Sequence, residues 1–372
     1  MRDEYYFRTE GLTVGYDGVP LIKEIEISIR RGEILTLIGP NGAGKTTILK
    51  SIIRQLSPIG GMVYLDGRSM QEMSGKEIAT RMSVVLTERT KPELMSCEDV
   101  VSTGRYPYTG TFGLLSKKDR EIVRESMELV HITELADRDF TRISDGQKQR
   151  VMLARAICQE PDLIVLDEPT SFLDIKYKLE FLAIIQKLSR TRNLSVIMSL
   201  HELDLAGRIS DKIVCVRGDK VDRYGTPEEI FTEGYIPELY EMTVGSYDEL
   251  SGNLELARVM GEAKVLVLSG NGTGTGLFRR LQREGIPFAA GILWENDLDY
   301  PSARALASEV ISVRAFASIS MAEKRRAMEL IDQCTGVLCT LPQEKFGQMG
   351  EYGRILEELW VYADRQGKIV QR

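Results

Sequence analysis

Residues 39–47 form the stretch of the chain with the clearest chemistry. The stretch consists of Gly39, Pro40, Asn41, Gly42, Ala43, Gly44, Lys45, Thr46 and Thr47. It fits the phosphate-binding pattern G-x-x-x-x-G-K-[ST], in which glycines let backbone N–H groups turn toward phosphate oxygens. In that pattern the lysine contacts the β- and γ-phosphates, and the hydroxyl that follows it ligates Mg²⁺. The motif predicts a nucleoside triphosphate site with Lys45 and Thr46 in those roles.

Two adjacent acids follow a second apolar stretch. Asp167 and Glu168 come directly after Leu163-Ile164-Val165-Leu166, which is typical of a strand buried on both faces of a parallel sheet. The carboxyl ends of such strands are where parallel sheets hold ligands. We expect Asp167 to join the Mg²⁺ shell and Glu168 to polarise water for in-line attack on the γ-phosphate. A solvated strand end is the alternative, but the upstream loop needs an acidic partner.

Two ring side chains also stand at strand ends. Tyr16 precedes a turn at Asp17-Gly18, where its ring has the reach to stack on a purine, or it is an ordinary strand-end tyrosine. His201 follows the strand Leu194–Leu200, and we expect it to hydrogen-bond the γ-phosphate and position the attacking water. A lone histidine is more often structural, and we interpret the chain's other histidine, His131, that way.

A polar helix start lies between these motifs. Ser144, Asp145, Gly146 and Gln147 precede a helix-forming run, and Ser144 is well placed to cap it. A small, glycine-containing helix start is a candidate second anion site. An ordinary N-cap explains the same residues equally well.

The phosphate loop needs a strand before it and a helix after it, and both are predicted. Ile34–Ile38 is an apolar strand and Thr47–Ile53 a helix. Strand and helix patterns alternate again after a Gly-, Ser- and acid-rich segment near residue 250. We therefore expect an α/β chain with an ATPase domain over 1–245, a linker over 246–260 and a small Rossmann-like α/β domain over 261–372.

The second domain has a glycine-rich turn of its own. Residues 270–276 follow a predicted strand but lack the Lys-Thr pair of a phosphate loop. We expect a small-ligand sensor site formed by Gly270, Gly272 and Gly274 together with Asn296, Asp297 and Asp299 after the next strand. Backbone amides at a helix N-terminus can bind a phosphate or a dinucleotide. The alternative is that these glycines only form a tight turn between a strand and a helix.

Composition narrows the class of protein. The 372 residues carry a net charge of −7, so no overall basic field draws the chain to nucleic acid. No apolar run is long enough for a transmembrane helix, and the start lacks the apolar region of a signal peptide. Five scattered cysteines form neither a disulfide framework nor a zinc site. These features indicate a cytoplasmic protein.

Taken together, the motifs over residues 5–245 resemble the ATP-binding-cassette ATPases, whose fold is a P-loop cassette with a helical subdomain. By this resemblance Tyr16 stacks on adenine, residues 39–47 are the Walker A loop, and ATP with Mg²⁺ is bound. Ser144–Gln147 is the signature motif, Asp167 and Glu168 are the Walker B acids, Asp174 is the D-loop aspartate, and His201 is the switch histidine. The family's Gln that contacts Mg²⁺ and water aligns with Glu88, a departure, and Asp145 replaces a signature glycine.

The resemblance also implies partners. In the family two cassettes enclose two ATP molecules, and each signature motif reaches the γ-phosphate held by the other subunit, so we expect a homodimer. The stretch Gly104-Arg105-Tyr106-Pro107-Tyr108 resembles importers of iron-siderophore, haem or cobalamin. That implies membrane permease subunits, an indirect substrate-binding protein, no nucleic acid, and a place at the inner face of the cell membrane. The alternative is a soluble regulatory ATPase or nucleotide sensor not coupled to transport.

Overall fold

The computed structural model of the chain describes residues 4–86, 92, 94–110 and 113–370. It divides into two compact units, Met1–Tyr235 and Ile236–Arg372. The strands of the first unit are β1 Phe7–Tyr16, β2 Val19–Ile25, β3 Ser28–Ile29, β4 Ile34–Ile38, β5 Gly60–Leu65, β6 Arg68–Ser69, β7 Met82–Val85, β8 Leu163–Leu166, β9 Ser195–Ser199, β10 Lys212–Arg217 and β11 Lys220–Gly225. Its helices are α1 Lys45–Ile52, α2 Gly75–Arg81, α3 Cys97–Ser102, α4 Lys117–Leu129, α5 Asp145–Cys158, α6 Ile175–Arg192, α7 Leu203–Ile209 and α8 Pro227–Ile230.

The strands of the first unit that the structure describes form one mixed sheet. Its order is β6-β5-β1-β2-β11-β10-β4-β9-β8-β7, with β3 paired to β1. Every residue of β4, β8 and β9 is buried, which explains their unbroken apolar character in place of alternation. Because β4, β9 and β8 are parallel neighbours, the three segments that follow them meet at one edge of the sheet.

The helical part of the first unit packs α3, α4 and α5 together. Ser116 caps α4 and Ser144 caps α5, each in a capping box that satisfies the first backbone N–H groups of the helix. Arg105 is buried between them and binds Asp119 of α4 at 2.9 Å and the carbonyl oxygen of Cys158 of α5 at 2.8 Å. Arg105 therefore links α4 to the C-terminal end of α5.

The second unit begins in the short helix α9 Tyr235–Leu239. It contains the strands β12 Ser246–Asp248, β13 Asn253–Glu255, β14 Val265–Leu268, β15 Phe288–Trp294, β16 Glu309–Val313 and β17 Gly336–Cys339, and the helices α10 Thr275–Arg283, α11 Tyr300–Leu306, α12 Met321–Gln333 and α13 Gly350–Arg365. A parallel sheet, β16-β15-β14-β17, forms its centre. Helices α10 and α11 cover one face and α12 and α13 the other, which is the Rossmann-like architecture expected.

The segment expected as a linker over 246–260 contains the hairpin β12–β13. The buried Glu255 in this hairpin accepts from Arg279 of α10 and from Ser302 of α11. The hairpin is therefore anchored to the helices of the second unit, and the compact units divide earlier, at residues 235 and 236. Among the described residues, no helix combines the length and apolarity needed to cross a lipid bilayer.

Candidate functional site

The phosphate loop joins β4 to α1 in a conformation that its glycines permit. Gly39 has φ +145°, and a Cβ there would lie 2.3 Å from the carbonyl oxygen of Val216. Lys45 is buried and donates to the carbonyl oxygens of Gly39 at 2.7 Å and Pro40 at 3.0 Å. Burial lowers the pKa of Lys45, while the carboxylates of Glu168 and Asp167 act in the opposite direction. The loop thus presents a cation beside the two Walker B acids.

Asp167 lies at the end of β8 within reach of two hydroxyl groups. Thr46 Oγ1 donates to its carboxylate at 3.0 Å, and Ser199 Oγ donates at 2.8 Å. Asp167 is buried, so this carboxylate is held in one orientation. Carboxylate and hydroxyl oxygens suit Mg²⁺, which keeps several waters and takes further oxygens from substrate phosphates. The oxygens of Thr46 and Asp167 together suit that ion.

Glu168 meets the histidine that follows β9. His201 Nε2 lies 2.6 Å from Glu168 Oε1, and Ser171 Oγ donates to Glu168 Oε2 at 3.1 Å. The backbone N–H of Glu168 donates to Ser199 Oγ at 2.8 Å. The acid expected to polarise water and the histidine expected to orient it therefore share one hydrogen-bonded cluster at the sheet edge.

Tyr16 reaches the same edge from the antiparallel part of the sheet. Its hydroxyl lies 3.2 Å from Thr47 Oγ1, and about half of the residue is exposed, 49%. The ring lies beside the beginning of α1, next to the phosphate loop. An exposed aromatic face in this position suits stacking on a nucleotide base, although the contact alone also fits an ordinary strand-end tyrosine.

The signature residues occupy the beginning of α5. Ser144 Oγ accepts from the backbone N–H of Gln147, and Gln147 Oε1 accepts from the backbone N–H of Ser144. Asp145 is exposed and forms an ion pair with Lys148 at 3.4 Å. Its carboxylate is therefore partly neutralised along the helix. A Cβ at Gly146 would lie 3.3 Å from Leu173 Cδ2, so glycine leaves room for that leucine.

Of two further predicted site residues, Asp174 and Glu88, the structure describes only Asp174. Asp174 caps α6 by accepting from the backbone N–H of Tyr177 at 3.0 Å, which fixes the end of the segment between the Walker B acids and α6. Glu88, expected near Mg²⁺, lies outside the described residues.

In the second unit, two carboxylates already bind the glycine-rich loop. Asp297 accepts from the backbone N–H of Asn271 at 2.9 Å. Asp299, which is buried, accepts from the backbone N–H groups of Gly274 and Thr275, each at 2.8 Å. Asn296 is exposed. The loop and the acids do adjoin, but the amides expected to hold a phosphate serve the chain's own carboxylates.

Sequence reasoning missed the polar groups around the acids and His201. Ser199 and Ser171 donate to Asp167 and Glu168, and Thr170 and Lys178 bind Glu202, the residue after His201. Ser199 was detectable in principle, because it lies near the end of the strand predicted before His201. The contacts of Glu202 join residues 32 and 24 positions apart in the sequence, which no local pattern reports.

Comparisons with known proteins agree with this geometry. A model of the ABC transporter family matches residues 22–171, and a model of the MJ0874 family matches residues 288–370. The uncharacterized ABC transporter ATP-binding protein MJ0873 of Methanocaldococcus jannaschii is 42% identical over 287 residues, covering 77% of this chain and 99% of its own. The iron(3+)-hydroxamate import ATP-binding protein FhuC of Bacillus subtilis is 36% identical, covering 63% of this chain and 87% of its own.

The cobalamin import ATP-binding protein BtuD of Halobacterium salinarum is 30% identical over 313 residues, covering 82% of this chain and 78% of its own. Among solved structures, cbiO1 from Clostridium perfringens aligns with TM-score 0.56 at 25% identity, over 63% of this chain and 94% of that chain. The match to the family model, sequence identity over most of the chain and a shared cassette fold lead to one assignment. The chain belongs to the ABC transporter ATP-binding proteins and is an ATP-binding-cassette ATPase.

Proposed function

We propose that the chain is the ATP-hydrolysing subunit of an importer and that it works through a separate membrane permease. The observation that carries this proposal is the cluster at the carboxyl ends of β4, β8 and β9. It places Lys45, the Thr46–Asp167 pair and the Glu168–His201 pair at one sheet edge. A cation for phosphate, oxygens for a metal and a base for water are the components that phosphoryl transfer to water requires.

Each residue has a distinct task in this mechanism. The ammonium of Lys45 exchanges its two carbonyl partners for β- and γ-phosphate oxygens when ATP binds. Glu168 accepts a hydrogen bond from water and orients it for in-line attack, and His201 fixes the carboxylate and contacts the γ-phosphate. Thr46 and Asp167 would hold Mg²⁺, which supplies positive charge beside the phosphates.

The signature residues act on a second copy of the chain. Ser144 and the amide of Gly146 stand at an exposed helix N-terminus, where the helix dipole favours an anion. We propose that they bind the γ-phosphate held by the other subunit, with Asp174 and its neighbours at the same interface and Tyr16 stacked on adenine. Hydrolysis would then require a homodimer that closes on ATP.

The cargo follows from the relatives and from one motif. Proteins named for iron(3+)-hydroxamate import and cobalamin import are similar over most of the cassette. In the stretch 104–108, Gly104 packs against the carbonyl oxygen of Arg155, Arg105 is buried, and Tyr106 is exposed. We propose an iron complex or cobalamin as cargo, delivered to the permease by a substrate-binding protein, with this chain at the inner face of the membrane.

For the second unit we propose a small-ligand sensor at the sheet edge formed by Gly270–Gly274 and Asp297. The carboxylates of Asp297 and Asp299 already bind the backbone amides of this loop. A ligand that needs no phosphate contact with those amides therefore suits the site better than a nucleotide. Calorimetry on the full chain with Lys45→Ala, which weakens the cassette's own nucleotide binding, tests corrinoids against nucleotides. A second nucleotide bound per chain, in addition to the one in the cassette, would contradict this preference.

Co-purification tests the main proposal. The chain is tagged and expressed with permeases of the iron-complex and cobalamin import type, and the detergent extract is assayed for a stable complex with ATPase activity. A complex whose turnover rises in the presence of a cargo-loaded binding protein supports import. Turnover by the chain without any permease association would favour the soluble regulatory alternative.

A further inference from the structure

Glu202, the residue after His201, has partners on both carboxylate oxygens. Thr170 Oγ1 donates to Oε2 at 2.9 Å, and the ammonium of Lys178 pairs with Oε1. Thr170 is buried, and the side chains of Lys178 and Glu202 are only 24% and 26% exposed. Burial acts to raise the pKa of Glu202, but the bonds from Lys178 and Thr170 outweigh it, so the group stays ionised.

Thr170 and Lys178, the two partners of Glu202, lie at the start of the short segment 170–174 and just beyond its end. Thr170 begins the stretch 170–174, which connects the Walker B acids to α6. Lys178 lies one turn into α6, and its backbone N–H bonds the carbonyl oxygen of Asp174. Ser171 in the same stretch holds Glu168. The stretch 170–174 therefore binds Glu168 through Ser171 and binds Glu202 through Thr170. Glu202 is also held by Lys178 of α6, the helix that follows this stretch.

We infer that Glu202 is a positioning residue that holds His201 against Glu168 and transmits displacements of residues 170–174 to that pair. The inference rests on the proposed function, since it concerns how the water-orienting pair is set. Glu202 also precedes α7 directly, so a shift of its carboxylate moves the backbone that carries His201. Coupling of this kind makes turnover depend on the position of a segment that we place at the dimer interface.

The geometry predicts a loss in turnover without a loss in ATP binding. Among the described residues, the hydrogen-bond partners of the Glu202 side chain are Thr170 and Lys178, and neither belongs to the phosphate loop. KM for ATP should therefore stay within about twofold of the wild type in Glu202→Gln. Displacement of the catalytic pair should lower kcat by about tenfold or more. Gln is nearly isosteric with Glu and retains an oxygen that can accept from Thr170. A loss of kcat in this variant therefore reports the loss of charge and not a loss of fold.

A double-mutant cycle with a control on the same helix tests the inference. We measure kcat and KM for the wild type, Glu202→Gln, Lys178→Met, the double variant, and Lys176→Met, whose exposed pair with Glu180 spans 3.9 Å. We expect Lys178→Met and Glu202→Gln to lower kcat alike, the double variant to be no worse than either, and Lys176→Met to match the wild type. Additive losses, a kcat within about twofold of the wild type in Glu202→Gln, or a rise in KM alone would each overturn the inference. A wild type without turnover would instead refute the proposed function.

Discussion

His201 Nε2 lies 2.6 Å from Glu168 Oε1, and the two residues follow neighbouring parallel strands. The contact places the imidazole where it can orient the carboxylate that we propose as the base for the attacking water. Because Ser171 holds the other carboxylate oxygen, Glu168 is fixed from two sides. Preorganisation of this kind reduces the rearrangement needed at the moment of reaction.

Lys45→Ala should impair ATP binding. The lysine is the cation of the phosphate loop, and charged hydrogen bonds contribute about 1.5–3 kcal/mol each, so we expect the Kd for ATP to rise roughly 10- to 100-fold. Titration calorimetry checks this, with Lys50→Ala on the same helix as the control. Unchanged affinity in Lys45→Ala would remove the phosphate loop from its assigned role.

Asp145→Gly should increase ATP turnover. The substitution removes a carboxylate that we place near the γ-phosphate of the opposed subunit, and a surface repulsion of about 1 kcal/mol corresponds to a roughly fivefold change. Lys148→Met should act in the opposite direction, since it removes the ammonium that lies 3.4 Å from the Asp145 carboxylate. Steady-state ATPase rates of both variants test whether the Asp145 carboxylate slows hydrolysis. Two unchanged rates would show that Asp145 does not face the phosphate.

Arg105→Met should destabilise the fold. The guanidinium is 4% exposed and binds Asp119 and Glu160, and removing one member of a buried ion pair leaves the other uncompensated. We expect the free energy of unfolding to fall by about 3 kcal/mol. Denaturant titration measures it, with Arg142→Met, 86% exposed, as a control that should change stability by less than about 0.5 kcal/mol. Equal effects of the two substitutions would refute a structural role for Arg105.

Glu77, in the capping box of α2, should stabilise the fold near neutral pH and lose this effect in acid. The backbone N–H and hydroxyl of Ser74, together with Arg68, lower the pKa of Glu77 from 4.5 to about 2. A lowered pKa in the folded state contributes stability above the ordinary pKa, and this is lost as pH falls through the folded value. Unfolding midpoints of the wild type and Glu77→Gln should differ steadily above pH 4.5 and converge toward pH 2. A difference that grows on acidification would reverse the sign of this assignment.

Much of the cassette could be predicted because its motifs are local. The glycines of the loop 39–47 indicate its backbone conformation directly. The apolar composition of the strands before Asp167 and His201 predicts that these strands are buried. The order β4-β9-β8, which makes these segments neighbours, was not deducible from the strands alone and came with the family resemblance.

The second unit shows where sequence patterns fall short. Its glycine-rich turn was interpreted through backbone amides, yet Asp299 lies 25 residues beyond Gly274 and reaches back to cap the loop. Likewise the hairpin near residue 250 has the composition of a linker, but Glu255 is buried against Arg279. In both cases a carboxylate binds groups 24 or 25 positions away in the sequence. The sequence predicts that Asp299 lies near the loop but not that it occupies the loop amides, and it gives no signal for the pair of Glu255 with Arg279.

The mass of Glu168→Gln in ATP and Mg²⁺, measured by light scattering after size exclusion, tests the central claim most directly. The substitution removes the water-activating base and leaves the phosphate loop and the signature helix intact, so hydrolysis should fall at least about 100-fold. ATP should then hold two copies together, at twice the chain mass of 41.8 kDa. A particle that stays at 41.8 kDa in saturating ATP, or a variant that hydrolyses ATP at the wild-type rate, would contradict the account.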